Sequence, residues 1–220
     1  MLTKFESFMR QIGLWVGFVL AVAAIYGAGP FPFIEQGVRL GGAIGSAVII
    51  TLMLKPLANE FGGESPNRRM FFWVIDLIIL FGFLFTLLNF AEVYESLWDG
   101  VVILETPTLA IGFFGTMVII DMVRRNFGII LPIICILMLI YAQFGDLPGI
   151  FGHRGFTFEE VVEVSWFSFG GVFGRPTDIV SSIVLVFIVF GAFLEATGAT
   201  TILLKMATVA TARVRGGTAH

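Results

Sequence analysis

The chain contains six long apolar stretches, and this pattern restricts its fold more than any other feature. They cover residues 12–33, 38–57, 70–91, 106–123, 127–144 and 179–194. A membrane-crossing helix needs about 20 mostly apolar residues, so each stretch is predicted to span a bilayer. Pro132 interrupts the fifth stretch, which membrane helices tolerate where neighbours satisfy the freed carbonyl group. We therefore predict an all-α integral membrane protein with about six transmembrane helices.

Composition agrees with a chain that has the lipid bilayer as its main partner. Only 13% of the residues are charged, against roughly 25% in soluble domains. A net charge of −3 gives no basis for nucleic-acid binding, which needs a basic patch or stripe. A single cysteine and two histidines predict no disulfide within the chain and no metal site.

Basic residues predict the orientation of the spans. The first apolar stretch is longer than the 7–15 residues typical of a signal-peptide core, so it is interpreted as a retained span. With the N-terminus in the cytoplasm, ten of the thirteen lysines and arginines fall on the cytoplasmic side, as the positive-inside rule requires. These ten are Lys4, Arg10, Lys55, Arg68, Arg69, Arg124, Arg125, Lys205, Arg213 and Arg215.

Small residues indicate how the first two spans pack. Gly13, Gly17 and Ala21 recur every four residues in the first span, and Gly41 and Gly45 repeat the spacing in the second. Such stripes let helix backbones approach closely in lipid. The greater frequency of glycine in membrane helices is an equally acceptable interpretation.

Two segments are predicted to be helices that do not cross the membrane. Thr157 and Glu160 fit a capping box, so an outer interfacial or re-entrant helix should begin at Phe158 and end at Gly170-Gly171. From Thr200 onward, apolar and basic residues separate onto different faces. This pattern is typical of an amphipathic helix that lies at the membrane surface, here as a cytoplasmic arm.

Four acidic residues in or near the spans are candidate functional residues, because ionisable groups are costly inside a bilayer. Asp76 is the deepest and is interpreted as a structural polar contact, with an ion path as the alternative. Asp121 is expected to pair with Arg124 or Arg125 at helical spacing, and Asp178 to cap the sixth helix. The fourth, Glu195, lies near the cytoplasmic end of its span.

Enzyme signatures are absent from the sequence. It contains no H-E-x-x-H, no G-x-x-x-x-G-K-[ST], no G-x-S-x-G and no dinucleotide-binding G-x-G-x-x-G. We therefore predict that the chain is not an enzyme and has no catalytic residues or bound cofactor. The sequence does not predict which residues bind a substrate.

From residue 121 onward, several motifs resemble the fused membrane component of tripartite ATP-independent periplasmic (TRAP) transporters, in the branch that works with TAXI-type receptors. The motifs are RRNFGIILPIICILMLIYAQFGDLPG, HRGFTFEEVV, GGVFGRP, VFGAFLEATGA and RVRGGTA. The resemblance implies that residues 1–125 form a four-helix, small-subunit-like (Q-type) segment. Residues 126–220 would begin a large-subunit-like (M-type) segment that is truncated at the arm helix.

The same resemblance implies a sodium-coupled importer in a bacterial or archaeal cytoplasmic membrane. It would take an organic anion from a periplasmic TAXI-type solute-binding protein and move it by an elevator motion. Arg215, Gly216 and Gly217 would form the turn that leads into the transport domain, whose sodium and substrate sites lie outside these 220 residues. The chain is thus expected to be the scaffold portion of the transporter. The alternative is a non-transporting membrane scaffold that assembles partner proteins.

Overall fold

Helices make up most of the chain that the structure describes. The computed structural model describes residues 2–29, 35–99, 105–145 and 152–211, and within these ranges it contains no strand. The helices are α1 (Leu2–Gly27), α2 (Gln36–Leu54), α3 (Leu57–Phe61), α4 (Pro66–Asp99), α5 (Thr106–Phe127), α6 (Ile130–Gln143), α7 (Phe158–Trp166), α8 (Arg175–Ile179), α9 (Leu185–Ala196) and α10 (Ala199–Thr211). A π-helical segment, Val180–Val184, joins α8 to α9.

Five helices in the described ranges are long and apolar enough to cross a membrane, which identifies a multi-pass architecture. They are Lys4–Gly27, Gln36–Phe61, Pro66–Leu97, Thr106–Phe127 and Arg175–Ala196. The second includes α3, and the fifth combines α8, the π-helical segment and α9. The prediction of an all-α membrane protein is confirmed at this level.

The predicted fifth span differs from the helix that forms. Gly128 adopts a φ of 80°, a left-handed conformation that favours glycine, and ends α5 at Phe127. The following helix α6 has only 14 residues, or roughly 21 Å at 1.5 Å per residue. That is short of the roughly 30 Å hydrocarbon core, so the segment falls below the length of the other five.

Gly13 is a point of close approach between α1 and α2. It is buried, and a Cβ atom added there would lie 3.0 Å from Cβ of Met53. At Gly17, one turn later, the nearest atom is Cδ1 of Ile50 at an ordinary 3.8 Å. In α2, Gly45 faces the side chain of Leu87, whereas Gly41 faces open space. The small-residue stripe therefore supports close packing at Gly13 and Gly45 and not at Gly41.

This difference predicts opposite effects for two matched substitutions in α1. Gly13→Ala should lower the free energy of unfolding by about 1–3 kcal/mol, because the new methyl group overpacks the contact with α2. Gly17→Ala should be neutral or stabilising by up to about 1 kcal/mol, since alanine favours helix and space is available. Thermal unfolding of both purified variants in detergent provides the measurement. Equal destabilisation by the two substitutions would contradict the assigned contact.

Helix α7 begins as predicted and ends earlier than predicted. The Thr157 hydroxyl accepts a hydrogen bond from the Glu160 amide at 3.2 Å, and the Glu160 carboxylate accepts from the Thr157 amide at 2.8 Å. This reciprocal capping box confirms the start at Phe158. The helix ends at Trp166 rather than at Gly170-Gly171, because residues 167–174 form a tight turn instead.

Aromatic side chains at both ends of that turn are buried in the helix bundle, although Gly170 between them is exposed. Trp166, Phe167 and Phe173 are all at most 2% exposed. Two glycines of α5, Gly112 and Gly115, leave room for the rings of Phe167 and Trp166 respectively. The turn also contacts α4, because the ring of Phe173 stacks on that of Phe90 with ring centroids 3.5 Å apart.

Protein groups satisfy several backbone groups of this partly buried turn. The Val172 amide donates to the Ser165 carbonyl at 2.8 Å, and the Gly174 amide donates to the Gly171 carbonyl at 3.0 Å. The Val172 carbonyl accepts from the Thr177 hydroxyl at 2.6 Å. Non-helical backbone is tolerated within a membrane protein when protein groups satisfy it.

Candidate functional site

A cluster of ionised side chains lies at one end of the bundle, where the ends of α2 and α5 meet α3 and the first turns of α4. We call this end the basic end, after its charged residues Lys55, Arg69, Arg124 and Arg125. Charge density this high next to apolar spans requires compensation, because buried charges are unfavourable unless they are paired. The cluster is the densest polar site in the described part of the chain and the best candidate for a functional site.

Asp76, on α4, is the innermost member of the cluster. Its residue is 0% exposed, and its Oδ2 accepts a hydrogen bond from the Leu57 amide at 2.8 Å. Pro56 is the N-cap residue of α3, so the Leu57 amide is one of the first-turn donors that lack a partner within their own helix. Asp76 supplies that partner and thereby fixes the start of α3 against α4.

Arg125, on α5, is the partner of Asp76 in an ion pair. Its Nη1 lies 2.8 Å from Asp76 Oδ1, and the arginine side chain is only 2% exposed. Arg125 Nε is also 2.7 Å from Asp121 Oδ2, and Nη1 donates to the Lys55 carbonyl at 3.3 Å. That carbonyl stands at the C-terminal end of α2. A single buried guanidinium therefore joins α2, α4 and α5.

Arg124 extends the cluster towards solvent. Its Nε lies 2.9 Å from Asp121 Oδ1, and its Nη1 donates to both carboxylate oxygens of Glu60 at 2.6 and 2.7 Å. Asp121 thus bridges both arginines at the i,i+3 and i,i+4 positions. The predicted pairing of Asp121 is present in the structure, with both arginines rather than one.

The contacts of the cluster are ion pairs that hold helices together. Each carboxylate of Asp76, Asp121 and Glu60 contacts a guanidinium group. The residues that the structure describes contain no group of three or more histidine, cysteine or acidic side chains placed to hold a metal ion. Breaking a buried pair on one side leaves an uncompensated charge, which is strongly destabilising. The geometry accordingly favours the structural interpretation of Asp76.

A second ion pair joins the helices at the opposite end of the bundle. Arg39 Nη2, near the start of α2, lies 2.5 Å from Asp178 Oδ1. Asp178 does not cap its helix as predicted, because α8 begins at Arg175 with Gly174 at the N-cap. The Ser181 and Ser182 hydroxyls both donate to the Asp178 carbonyl. Asp178 therefore connects the Arg175–Ala196 helix to α2.

The other predicted candidates do not join either cluster. Glu195 is exposed and contacts no basic side chain among the described residues. Arg215, Gly216 and Gly217 lie outside the described residues. Sequence reasoning missed Glu60 and Arg39, because their partners are 64 and 139 residues away. One local feature, Pro56, could have indicated that Asp76 has a backbone partner. A proline at the end of an apolar stretch predicts a new helix whose first-turn amides are unpaired.

Comparisons with known proteins add no assignment to this geometry. The chain matches no protein-family model, and neither a curated protein nor a solved structure is significantly similar to it.

Proposed function

We propose that the chain forms the static scaffold of a TRAP-type, sodium-coupled transporter. Such a transporter would import an organic anion that a periplasmic TAXI-type solute-binding protein delivers. The scaffold would lie in a bacterial or archaeal cytoplasmic membrane with its N-terminus in the cytoplasm, and its basic end would face that compartment as the positive-inside rule requires. The transport domain that carries sodium and substrate would be a partner, supplied by residues outside these 220.

The observation that carries this function is helix α10, which follows the VFGAFLEATGA motif. Gly198, with a φ of 74°, ends the preceding segment and redirects the chain into Ala199–Thr211. Every residue from 200 to 209 is exposed, and apolar side chains are among them. Helix α10 is an amphipathic helix attached through a glycine turn to a bundle that ion pairs hold together. This arrangement is suited to an arm that connects a static scaffold to a moving transport domain.

The ion pairs give independent support for a static role. The buried Asp76–Arg125 pair and the Arg39–Asp178 pair lie at opposite ends of the bundle. The aromatic rings of the α7 turn fill the space between α4 and α5. Densely packed interiors of this kind transmit displacement as a unit. A bundle with ion pairs at both ends and aromatic packing between α4 and α5 is suited to remaining rigid while another domain moves.

Reconstitution tests this function. The chain is purified and placed in liposomes alone, and in parallel together with the product of the coding sequence downstream of its own. A sodium gradient is imposed, the candidate receptor is added, and accumulation of a panel of radiolabelled organic anions is measured. We expect uptake only when the downstream product is present.

Two outcomes would contradict the function. Sodium-driven uptake by the 220-residue chain alone would show that it is a carrier rather than a scaffold. Absence of uptake in both preparations, with the chain monodisperse and folded, would favour the second candidate, a non-transporting scaffold that assembles partner proteins. Recovery of stable protein complexes from native membranes would then distinguish that role.

A further inference from the structure

A polar cleft at the basic end is separate from the charge cluster and has no role in the scaffold function described above. It has a volume of about 500 Å³ and lies between the first turns of α1, the end of α2, α3 and α4. Its lining residues are Glu6, Ser7, Arg10, Met53, Leu54, Pro56, Asn59 and Trp73. Polar groups supply much of this lining.

Two acceptor atoms in the cleft, Glu6 Oε1 and Asn59 Oδ1, already accept hydrogen bonds from Arg69. Arg69 Nη2 lies 2.6 Å from Glu6 Oε1 and donates to Asn59 Oδ1 at 3.2 Å. The Glu6 carboxylate also accepts a hydrogen bond from Arg69 Nε at 3.0 Å. A cation entering the cleft would therefore compete with a guanidinium that is already in place. The cleft does not have the character of a cation site.

Its donor groups, in contrast, are unused. Arg10 is exposed and contacts no carboxylate among the residues that the structure describes. Trp73 is 2% exposed, and its indole Nε1 is buried without a hydrogen-bond acceptor in the described part of the chain. A buried indole N–H normally finds an acceptor. Arg10, with a free guanidinium, and Trp73, with a buried indole N–H that lacks an acceptor among the described residues, both line this cleft, and such donors are complementary to an anion.

We propose that this cleft binds the phosphate group of an anionic phospholipid. Phosphate esters are anions that arginine recognises well. The cleft lies where α1, α2 and α4 reach the end of the bundle, and tryptophan and basic residues are typical of that membrane depth. Basic pockets between membrane helices are known to accept lipid headgroups. A lipid is favoured over free phosphate because its acyl chains can pack on the apolar helix faces beside the cleft, such as Leu14 and Met70.

Binding of lipid to the purified 220-residue chain tests this site. Short-chain phosphatidylglycerol is titrated into protein in a neutral detergent, and the bound lipid is counted by native mass spectrometry. Arg10→Gln should weaken binding about fivefold, the loss expected for one basic residue near a lipid surface. Trp73→Phe retains the ring, removes the N–H and should also weaken binding about fivefold.

Arg68→Gln is the matched control, because Arg68 is an exposed arginine at the same end of the bundle and does not line the cleft. It should bind phosphatidylglycerol as the wild type does, and Arg10→Lys should restore most of the affinity lost in Arg10→Gln. Equal losses in Arg10→Gln and Arg68→Gln would overturn the site, as they would reflect net charge alone. Inorganic phosphate that displaces the lipid at equal concentration would overturn the assignment to a phospholipid.

Discussion

Replacing Arg125 with methionine is expected to lower the free energy of unfolding by about 3–5 kcal/mol. The substitution removes the only guanidinium that contacts Asp76 in the described structure and leaves a buried carboxylate without a countercharge. The Leu57 amide remains as its single hydrogen-bond donor. Unfolding by a denaturing detergent, followed by circular dichroism, measures the change.

A double variant separates the loss of pairing from the loss of packing. Asp76→Leu combined with Arg125→Met removes both charges, and buried ion pairs can often be exchanged for apolar residues with little loss. We expect the double variant to be more stable than Arg125→Met alone, with a residual deficit of about 1–3 kcal/mol from the unpaired Leu57 amide. Effects of the two single substitutions that simply add would contradict a direct interaction.

Replacing Trp166 with alanine is expected to produce the other large effect, a loss of about 3–5 kcal/mol. Trp166 is 0% exposed, and its ring packs edge-on against both Phe83 and Phe173 with centroids 5.9 and 5.0 Å away. Removing the ring leaves a cavity beside Gly115, which has no side chain to fill it. Thermal unfolding, together with protease accessibility of residues 167–174, measures the release of the turn.

Trp15→Ala is the matched control for this substitution. Trp15 is 66% exposed on α1, so the same chemical change there removes little packing within the protein. Its effect is expected to stay within about 0.5 kcal/mol, as for surface substitutions in general. Comparable destabilisation by the two alanine substitutions would contradict the insertion of the α7 turn into the bundle.

Local patterns in the sequence predicted the elements whose cause is local. Apolar stretches of sufficient length identified the five long helices, and the Thr157–Glu160 spacing identified the start of α7 to the residue. The spacing of Asp121, Arg124 and Arg125 predicted pairs that form within one helix. In the capping box and in these ion pairs, the interacting groups lie within four residues of each other. Helical periodicity alone therefore determines their approach.

Features that depend on contacts between helices could not be predicted from the sequence. Asp76 was identified as a polar contact, and yet its partner Arg125 lies on a different helix, α5. Asp178 was expected to cap a helix. Its pairing with Arg39 was not predicted, because it depends on how α2 and α8 pack. The short length of α6 also escaped prediction, since apolar composition continues through the positive-φ turn at Gly128.

We propose that the chain is a static scaffold whose buried charges hold helices together and do not carry transported ions. The most direct measurement is sodium-dependent uptake by the complete reconstituted transporter carrying Asp76→Asn, which retains the size of the side chain and removes its charge. We predict an unchanged half-maximal sodium concentration together with a lower unfolding temperature. A shift of that concentration by about tenfold or more, with the unfolding temperature unchanged, would place Asp76 on the ion path and contradict the claim.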